Sequence, residues 1–361
     1  MTKIKLFDPS VGKEEIQATT KVIKSHFWAS GAGTGNVLKF EEKFRRFVNS
    51  DSCIAVNNGT SALNLALSLT DIKKKEVILP SLTFVSTAHA VVINGGIPVF
   101  VDVDPITMCI DPQKIKKAIT TKTKVVLPVH FAGMPCNLNQ ILKICKNNNL
   151  NLIEDASHAV GTTYGKKLIG KHGMACCFSF HPVKNLAMPT GGLISLNHPN
   201  HKKFESLLKS RRWCGISNRK EASYDVKEMG WNYYMNEFSA AIGLVQLKKL
   251  ISLNKIRKKI AKKYVKEISI ENKMPFSNDC SYHMYWILTK NRNKFRKNME
   301  DVGIETGIHY RPIHTMSMYK KRKYLPYTEM AGKQIVSIPI HPNLSETNIE
   351  KIIKFTNKFA D

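Results

Sequence analysis

The chain has 361 residues, enough for about two domains and an ample core, which excludes a minimal binding peptide. Hydrophobic residues make up 43% and charged residues 23%, which excludes a disordered or fibrous polypeptide. Lys and Arg number 55 against 28 Asp and Glu, so the net charge is +27, an excess that draws polyanions.

The first ten residues, MTKIKLFDPS, lack an apolar core, so a secretory signal is not expected. From residue 53 to 195, short β-branched runs alternate with helical spacing, the pattern of βαβ units. The expected strands are Ile54–Val56, Val77–Leu79, Pro98–Val103, Val125–Val129, Leu150–Ile153, Cys176–Phe180 and Leu193–Leu196. Between them, Ala62, Leu65, Ala66 and Leu69 fall on one helical face, as do Ile115, Ala118 and Ile119, and then Ile141, Leu142 and Ile144. Residues 236–250 (NEFSAAIGLVQLKKL) form a helix whose small residues Ser239, Ala240 and Gly243 allow close packing. Residues 254–273 are rich in Lys and Arg with Ile256, Ile260, Tyr264, Val265 and Ile268 at helical spacing, an amphipathic helix with a solvated face. The composition changes near residue 250, which predicts a large domain over 1–250 and a smaller α+β domain over 251–361, closed by a helix at 349–359.

No apolar stretch approaches the ~20 residues of a membrane span; residues 88–101, for instance, are broken by Asn94, Gly95, Gly96 and Pro98. The eight cysteines include no CxxC pair, so they read as reduced, mostly buried thiols of a cytoplasmic protein. His198 with His201, and His309 with His314, lack a third ligand of metal-site spacing, so no metal is expected. The glycines of residues 31–35 (GAGTG) do not follow a strand and lack the acidic residue of a dinucleotide fingerprint. The basic residues are spread along the chain rather than gathered in a recognition motif, so nucleic acid is not the expected partner.

Three segments carry chemistry. Asn57-Asn58-Gly59-Thr60-Ser61 follows a strand and opens a helix, where free amides and hydroxyls suit a phosphate; a plain N-cap explains the same residues. Glu154-Asp155-Ala156-Ser157-His158 ends an apolar strand, the place where ligands meet an open α/β sheet; a carboxylate there suits a cationic ring nitrogen or a metal. Ser179-Phe180-His181-Pro182-Val183-Lys184 also follows a strand, where burial lowers a lysine's pKa and frees its amine. Together and in this order they are the three handles of pyridoxal 5′-phosphate: phosphate cradle, ring-nitrogen partner and aldehyde-binding amine.

The sequence resembles the sugar aminotransferases of the DegT/DnrJ/StrS family, within the fold-type-I aspartate aminotransferase superfamily. The matching segments are NNGTSALNLAL (57–67), ILPSLTFVSTAHAVVINGGIPVFVDVDP (78–105), IEDASHAVGTTYGKKLIG (153–170), FSFHPVKNLAMPTGG (178–192), GWNYYMNEFSAAIGLVQL (230–247), TGIHYRPIH (306–314) and SIPIHPNLSE (337–346). The resemblance implies an α/β fold-type-I PLP transferase, its large domain built on a mostly parallel seven-stranded sheet between helices.

It further implies that Lys184 forms the imine with the cofactor and shuttles a proton. Asp155 would pair with the ring nitrogen, Gly59, Thr60, Ser61 and Ser179 would bind the phosphate, Phe84 would stack on the ring and His158 would sit beside its hydroxyl. Asn232 matches an asparagine that reaches the cofactor phosphate of a neighbouring subunit, which implies a homodimer with shared active sites. Trp28 and Ser30 border the substrate in such a reading, and His309, Tyr310 and His314 form the active-site rim. A few relatives carry His in place of the lysine and act as dehydratases; Lys184 therefore favours amino transfer. L-glutamate would convert the cofactor to pyridoxamine 5′-phosphate, which then aminates a keto group of a nucleotide-linked sugar. The pair Phe180-His181 leans toward the C4 keto position of a 4-keto-6-deoxy sugar, with C3 as the rival. Pro189-Thr190, Trp213-Cys214 and Tyr234 depart from the family pattern in loops near the sugar and nucleotide, which leaves substrate identity open.

Overall fold

The computed structural model describes residues 3–320 and 324–360. The seven expected strands form one sheet: β1 (Ser52–Val56), β2 (Glu76–Pro80), β3 (Ile97–Val101), β4 (Thr123–Val126), β5 (Asn151–Asp155), β6 (Ala175–Ser179) and β7 (Gly192–Leu196). Their order is β1-β7-β6-β5-β4-β2-β3, and every pairing is parallel except those of β7, which runs antiparallel to both β1 and β6. Alternate residues of β1 serve opposite faces: Cys53 and Ala55 join one apolar cluster, Ile54 and Val56 the other. Both faces are therefore covered, which is why these strands read as unbroken apolar runs.

Two expected strands run shorter than drawn. The fourth stops at Val126 because Pro128 has no amide to give the ladder, and Val129 makes only an isolated bridge to Asp155. The third stops at Val101, and Val103 bridges Ile110 instead.

The helix Glu237–Glu267 is capped by Asn236, whose Oδ1 accepts the Ser239 amide at 2.8 Å. It packs on the helices Lys13–Ser25 and Asn36–Val48. Its small-residue stripe is filled by side chains rather than a backbone: a Cβ on Gly243 would lie 2.1 Å from Met188 Cε and 3.1 Å from Phe40. The helix runs unbroken through residue 250, so the chain passes from the sheet to the C-terminal unit along a single rod. Beyond it, Tyr285–Leu288 pairs antiparallel with Ile335–Ile338, flanked by the helices Arg292–Asp301 and Glu346–Phe359. One apolar cluster continues from Phe40 and Phe44 near the sheet to Trp286 and Ile352 in this unit. All eight cysteines are free, and only Cys214 is exposed. Among the described residues, no helix is long and apolar enough to cross a membrane.

Candidate active site

The topology sets several chain segments at one edge of the sheet. β1, β2, β5 and β6 all end there, delivering Asn57–Gly59, Ser81–Phe84, Asp155 and Ser179; the antiparallel β7 begins there at Gly192. They border a cavity of about 320 Å³ lined by Asn58, Gly59, Thr60, Thr83, Phe84, Ser86, Asp155, Ser157, His158, Ser179, His181, Lys184, Thr190, His309 and Tyr310.

At one end lies the start of the helix Gly59–Ser68. The Asn58 side chain takes the Ser61 amide at 2.8 Å, which leaves the Gly59 and Thr60 amides without an intrahelical partner. Gly59 is required by close approach, since a Cβ there would lie 2.7 Å from Ser179 Cβ. A Cβ on Gly192 would come within 2.3 Å of the Asn58 carbonyl oxygen. The cradle is thus packed tightly enough that backbone amides, not side chains, form its surface.

Asp155 is buried, and each carboxylate oxygen is held: Thr87 donates to Oδ2 at 2.9 Å, and the Ser157 hydroxyl donates to Oδ1 at 2.6 Å. Thr83 and Thr87 share a further hydroxyl contact at 3.0 Å. These two hydroxyls fix the orientation of the Asp155 side chain at the cavity wall.

Lys184 borders the cavity with its amine enclosed by protein. Burial lowers its pKa from 10.5 to about 8, with Asp155 pulling the other way. Among the described residues its hydrogen-bond partner is His283, with 3.4 Å between Nζ and Nε2. Among the described residues the amine has no carboxylate contact, and the lowered pKa brings its nucleophilic free form within reach near pH 8.

His158 accepts the Ala132 amide at Nδ1 (3.3 Å), which places its proton on Nε2, 3.1 Å from the Tyr310 hydroxyl. Burial lowers the His158 pKa well below the usual value, and Lys184 and His309 add to this, so the ring is neutral. Burial likewise lowers His309 to about 4 and raises Tyr310 above its ordinary range. Phe84 stands 56% exposed at the mouth, its ring 6.0 Å from Tyr310.

Gly59, Thr60, Phe84, Asp155, His158, Ser179, Lys184, His309 and Tyr310 are thus brought together around one cavity. Other expected residues are placed elsewhere. Ser61 is buried as part of the helix cap, its hydroxyl donating to Asn57 at 2.6 Å. His314 sits away from the rim expected of it: Nδ1 meets the Ser81 hydroxyl at 2.7 Å and Nε2 faces Glu329 at 3.4 Å, so the ring ties the loop after β2 to the helix Pro326–Gln334. Trp28 is 52% exposed and leans on Phe238, and neither it nor Ser30 lines the cavity of its own chain. Asn232 is exposed on the segment paired with Trp213.

Sequence reasoning missed Thr87 and Ser157, which hold Asp155, Thr83, which meets Thr87, and His283, which meets Lys184. It also missed a buried ion pair behind the cradle. Arg212 Nη1 lies 2.5 Å from Glu41 Oε1 and donates to the Ala55 carbonyl at 2.9 Å, while Glu41 accepts the Ala55 amide at 2.8 Å. The loop of residues 31–35 closes over that pair, with Gly31 against the Trp213 indole and Gly33, at φ +69°, against the Arg212 guanidinium. Among the described residues, no group of three or more His, Cys, Asp or Glu side chains is placed to hold a metal ion.

Amide cradle, held acidic side chain and an amine without a carboxylate partner among the described residues fit the phosphate, ring nitrogen and aldehyde of pyridoxal phosphate. A sequence model described as the DegT/DnrJ/EryC1/StrS aminotransferase family matches residues 9–356. The spore coat polysaccharide biosynthesis protein SpsC of Bacillus subtilis is 34% identical over 369 residues, 96% of this chain and 94% of that protein. Helicobacter pylori PseC, an aminotransferase involved in the biosynthesis of pseudoaminic acid, superimposes with a TM-score of 0.93 at 26% identity, covering 99% of both chains. The sugar aminotransferase CalS13 from Micromonospora echinospora superimposes at 0.91 and 26% identity, over 98% of this chain and 99% of that one.

Proposed function

The chain belongs to the DegT/DnrJ/EryC1/StrS aminotransferase family and is a pyridoxal-phosphate-dependent sugar aminotransferase; we propose that it moves the amino group of L-glutamate to the keto carbon of a nucleotide-linked 4-keto-6-deoxy sugar. The observation that carries the reading is the enclosed Lys184 amine, unpaired with any carboxylate and sharing a cavity with Asp155.

In this reading Lys184 would hold the cofactor through its aldehyde carbon, and its Nζ would carry the proton that moves during amino transfer. The bound cofactor supplies an electron sink for the carbon that loses its proton. Asp155 would keep the ring nitrogen protonated, and the amides of Gly59 and Thr60, with Ser179, would take the phosphate. Ser61 supports that cradle from behind rather than touching the phosphate. Phe84 would cover one ring face, and His158, hydrogen-bonded to Tyr310, would serve the ring hydroxyl. Asn232, Trp28 and Ser30 are exposed or outside their own cavity and complete the site of a second subunit in a homodimer. The positive net charge raises the encounter rate with an anionic nucleotide sugar. Free thiols fit a cytoplasmic setting.

The lean toward C4 rests on His181. Phe180 turns inward, fully buried against Phe40 and Phe44, so of this pair only His181 lines the cavity where the acceptor would enter. Two measurements test the proposal. The purified protein shows a visible cofactor band that L-glutamate bleaches and Lys184→Ala abolishes; a protein that stays colourless when supplied with cofactor refutes the reading. NMR of the product from 4-keto and 3-keto nucleotide sugars then assigns the carbon, and turnover of neither rejects both acceptors.

A further inference from the structure

His283 lies outside every segment that carried the family resemblance, yet it is the hydrogen-bond partner of the Lys184 amine. It stands just before the strand Tyr285–Leu288, and its backbone is pinned: the His283 amide donates to the Ala132 carbonyl at 3.0 Å, and the Ser281 carbonyl accepts Asn185 Nδ2 at 2.8 Å. The ring is clamped between two others. Phe7 stacks on it at 5.4 Å and 16°, His158 at 4.6 Å and 30°. Such a ring has little freedom to rotate, so its Nε2 stays 3.4 Å from Lys184 Nζ.

The other nitrogen decides what that contact means. His283 Nδ1 is buried and has no hydrogen-bond partner among the described residues. A proton there would be an orphaned buried N–H, which costs more than a bare lone pair. The proton therefore belongs on Nε2, where the lone pair of the Lys184 amine can accept it. An ammonium at Nζ would instead need an acceptor, and this tautomer offers none.

We propose that His283 is a positioning residue for Lys184, donating Nε2–H to hold the amine as a free base aimed into the cavity. The inference rests on the reading of Lys184 as the amino-transfer lysine. The surroundings support it. The groups acting on His283 are Lys184, His158, His309 and Arg257, none of them acidic, and burial with these neighbours lowers its pKa well below the usual value. His283 is thus a neutral donor, not an acid. Asp155 acts on Lys184 from another side and favours the ammonium, so the two influences oppose each other at one nitrogen.

The test uses cofactor-free protein and follows reductive methylation of Lys184 against pH, mapped by peptide mass spectrometry. The wild-type midpoint is expected at about 8. His283→Phe keeps the stack but removes the donor, and should raise the midpoint by about half a pH unit or more; His283→Gln, with an amide donor, should stay near wild type. A merely packing role predicts no shift, or a downward one, for Phe, and no rescue by Gln. Either result overturns the proposal. In loaded enzyme, the rate at which glutamate bleaches the cofactor band should fall at least about fivefold in the Phe variant, roughly 1 kcal/mol, and recover in Gln. Should the Phe variant fail to fold, ¹⁵N NMR of histidine-labelled wild type at a pH above about 8, where the Lys184 amine is the free base, decides: a protonated Nε2 with a bare Nδ1 is expected, and a protonated Nδ1 refutes the idea. Borohydride trapping of cofactor on wild-type Lys184 separates the two levels. No trapping sinks the amino-transfer reading, whereas trapping with an unshifted Phe variant sinks only the role of His283.

Discussion

Replacing Lys184 by Met in the cofactor-free protein should stabilise it, and the gain should shrink as pH rises. The amine is held at about 8 in the fold against 10.5 ordinarily, because burial disfavours its charge. Between those values the unfolded chain binds the proton that the folded chain has released, so wild-type stability rises with pH there, and the cost of the lysine is fully present below about 8. The gap corresponds to about 3 kcal/mol at pH 7, falling to about 1 kcal/mol at pH 10. These are upper bounds, since water in the cavity screens the charge. Urea denaturation of wild type and Lys184→Met at both pH values measures the difference, and comparing the two gains cancels whatever methionine adds by packing. A gain that is equal at pH 7 and pH 10 would refute the idea that burial of the charge is what frees this amine.

Asp155→Asn removes the one cause that raises the Lys184 pKa, so the pH midpoint for cofactor uptake should move below about 8; an upward move contradicts the assignment. Gly59→Ala places a methyl 2.7 Å from Ser179 Cβ and should weaken cofactor binding by ~10-fold or more while leaving the fold intact, measured by fluorescence titration. Arg212→Met strands the buried Glu41 carboxylate and should cost about 3–5 kcal/mol in urea denaturation. Because burial already raises the Glu41 pKa and Arg212 opposes that, losing the arginine should raise it further, and the simultaneous Glu41→Gln change should recover part of the loss.

The amino-acid sequence determined the sheet and which polar segments meet at its edge. Runs such as Val77–Leu79 and Leu193–Leu196 are apolar on both faces, and only a sheet covered on both sides buries them, so all seven strands were legible from local pattern. That Gly59, Asp155 and Lys184 meet at one cavity was legible too, because each stands at or just past a strand end, where chain order alone predicts a ligand edge. Tertiary structure decided what had no local signature. Thr87 reaches Asp155 across 68 positions and His283 reaches Lys184 across 99, and nothing in either neighbourhood marks the residue as a partner. The sequence likewise grouped His314 with His309 and Tyr310, yet the fold turns its ring to Ser81 and Glu329. Local pattern states which face of an element is apolar; the direction of a polar side chain depends on which distant donor or acceptor packing brings within about 3 Å.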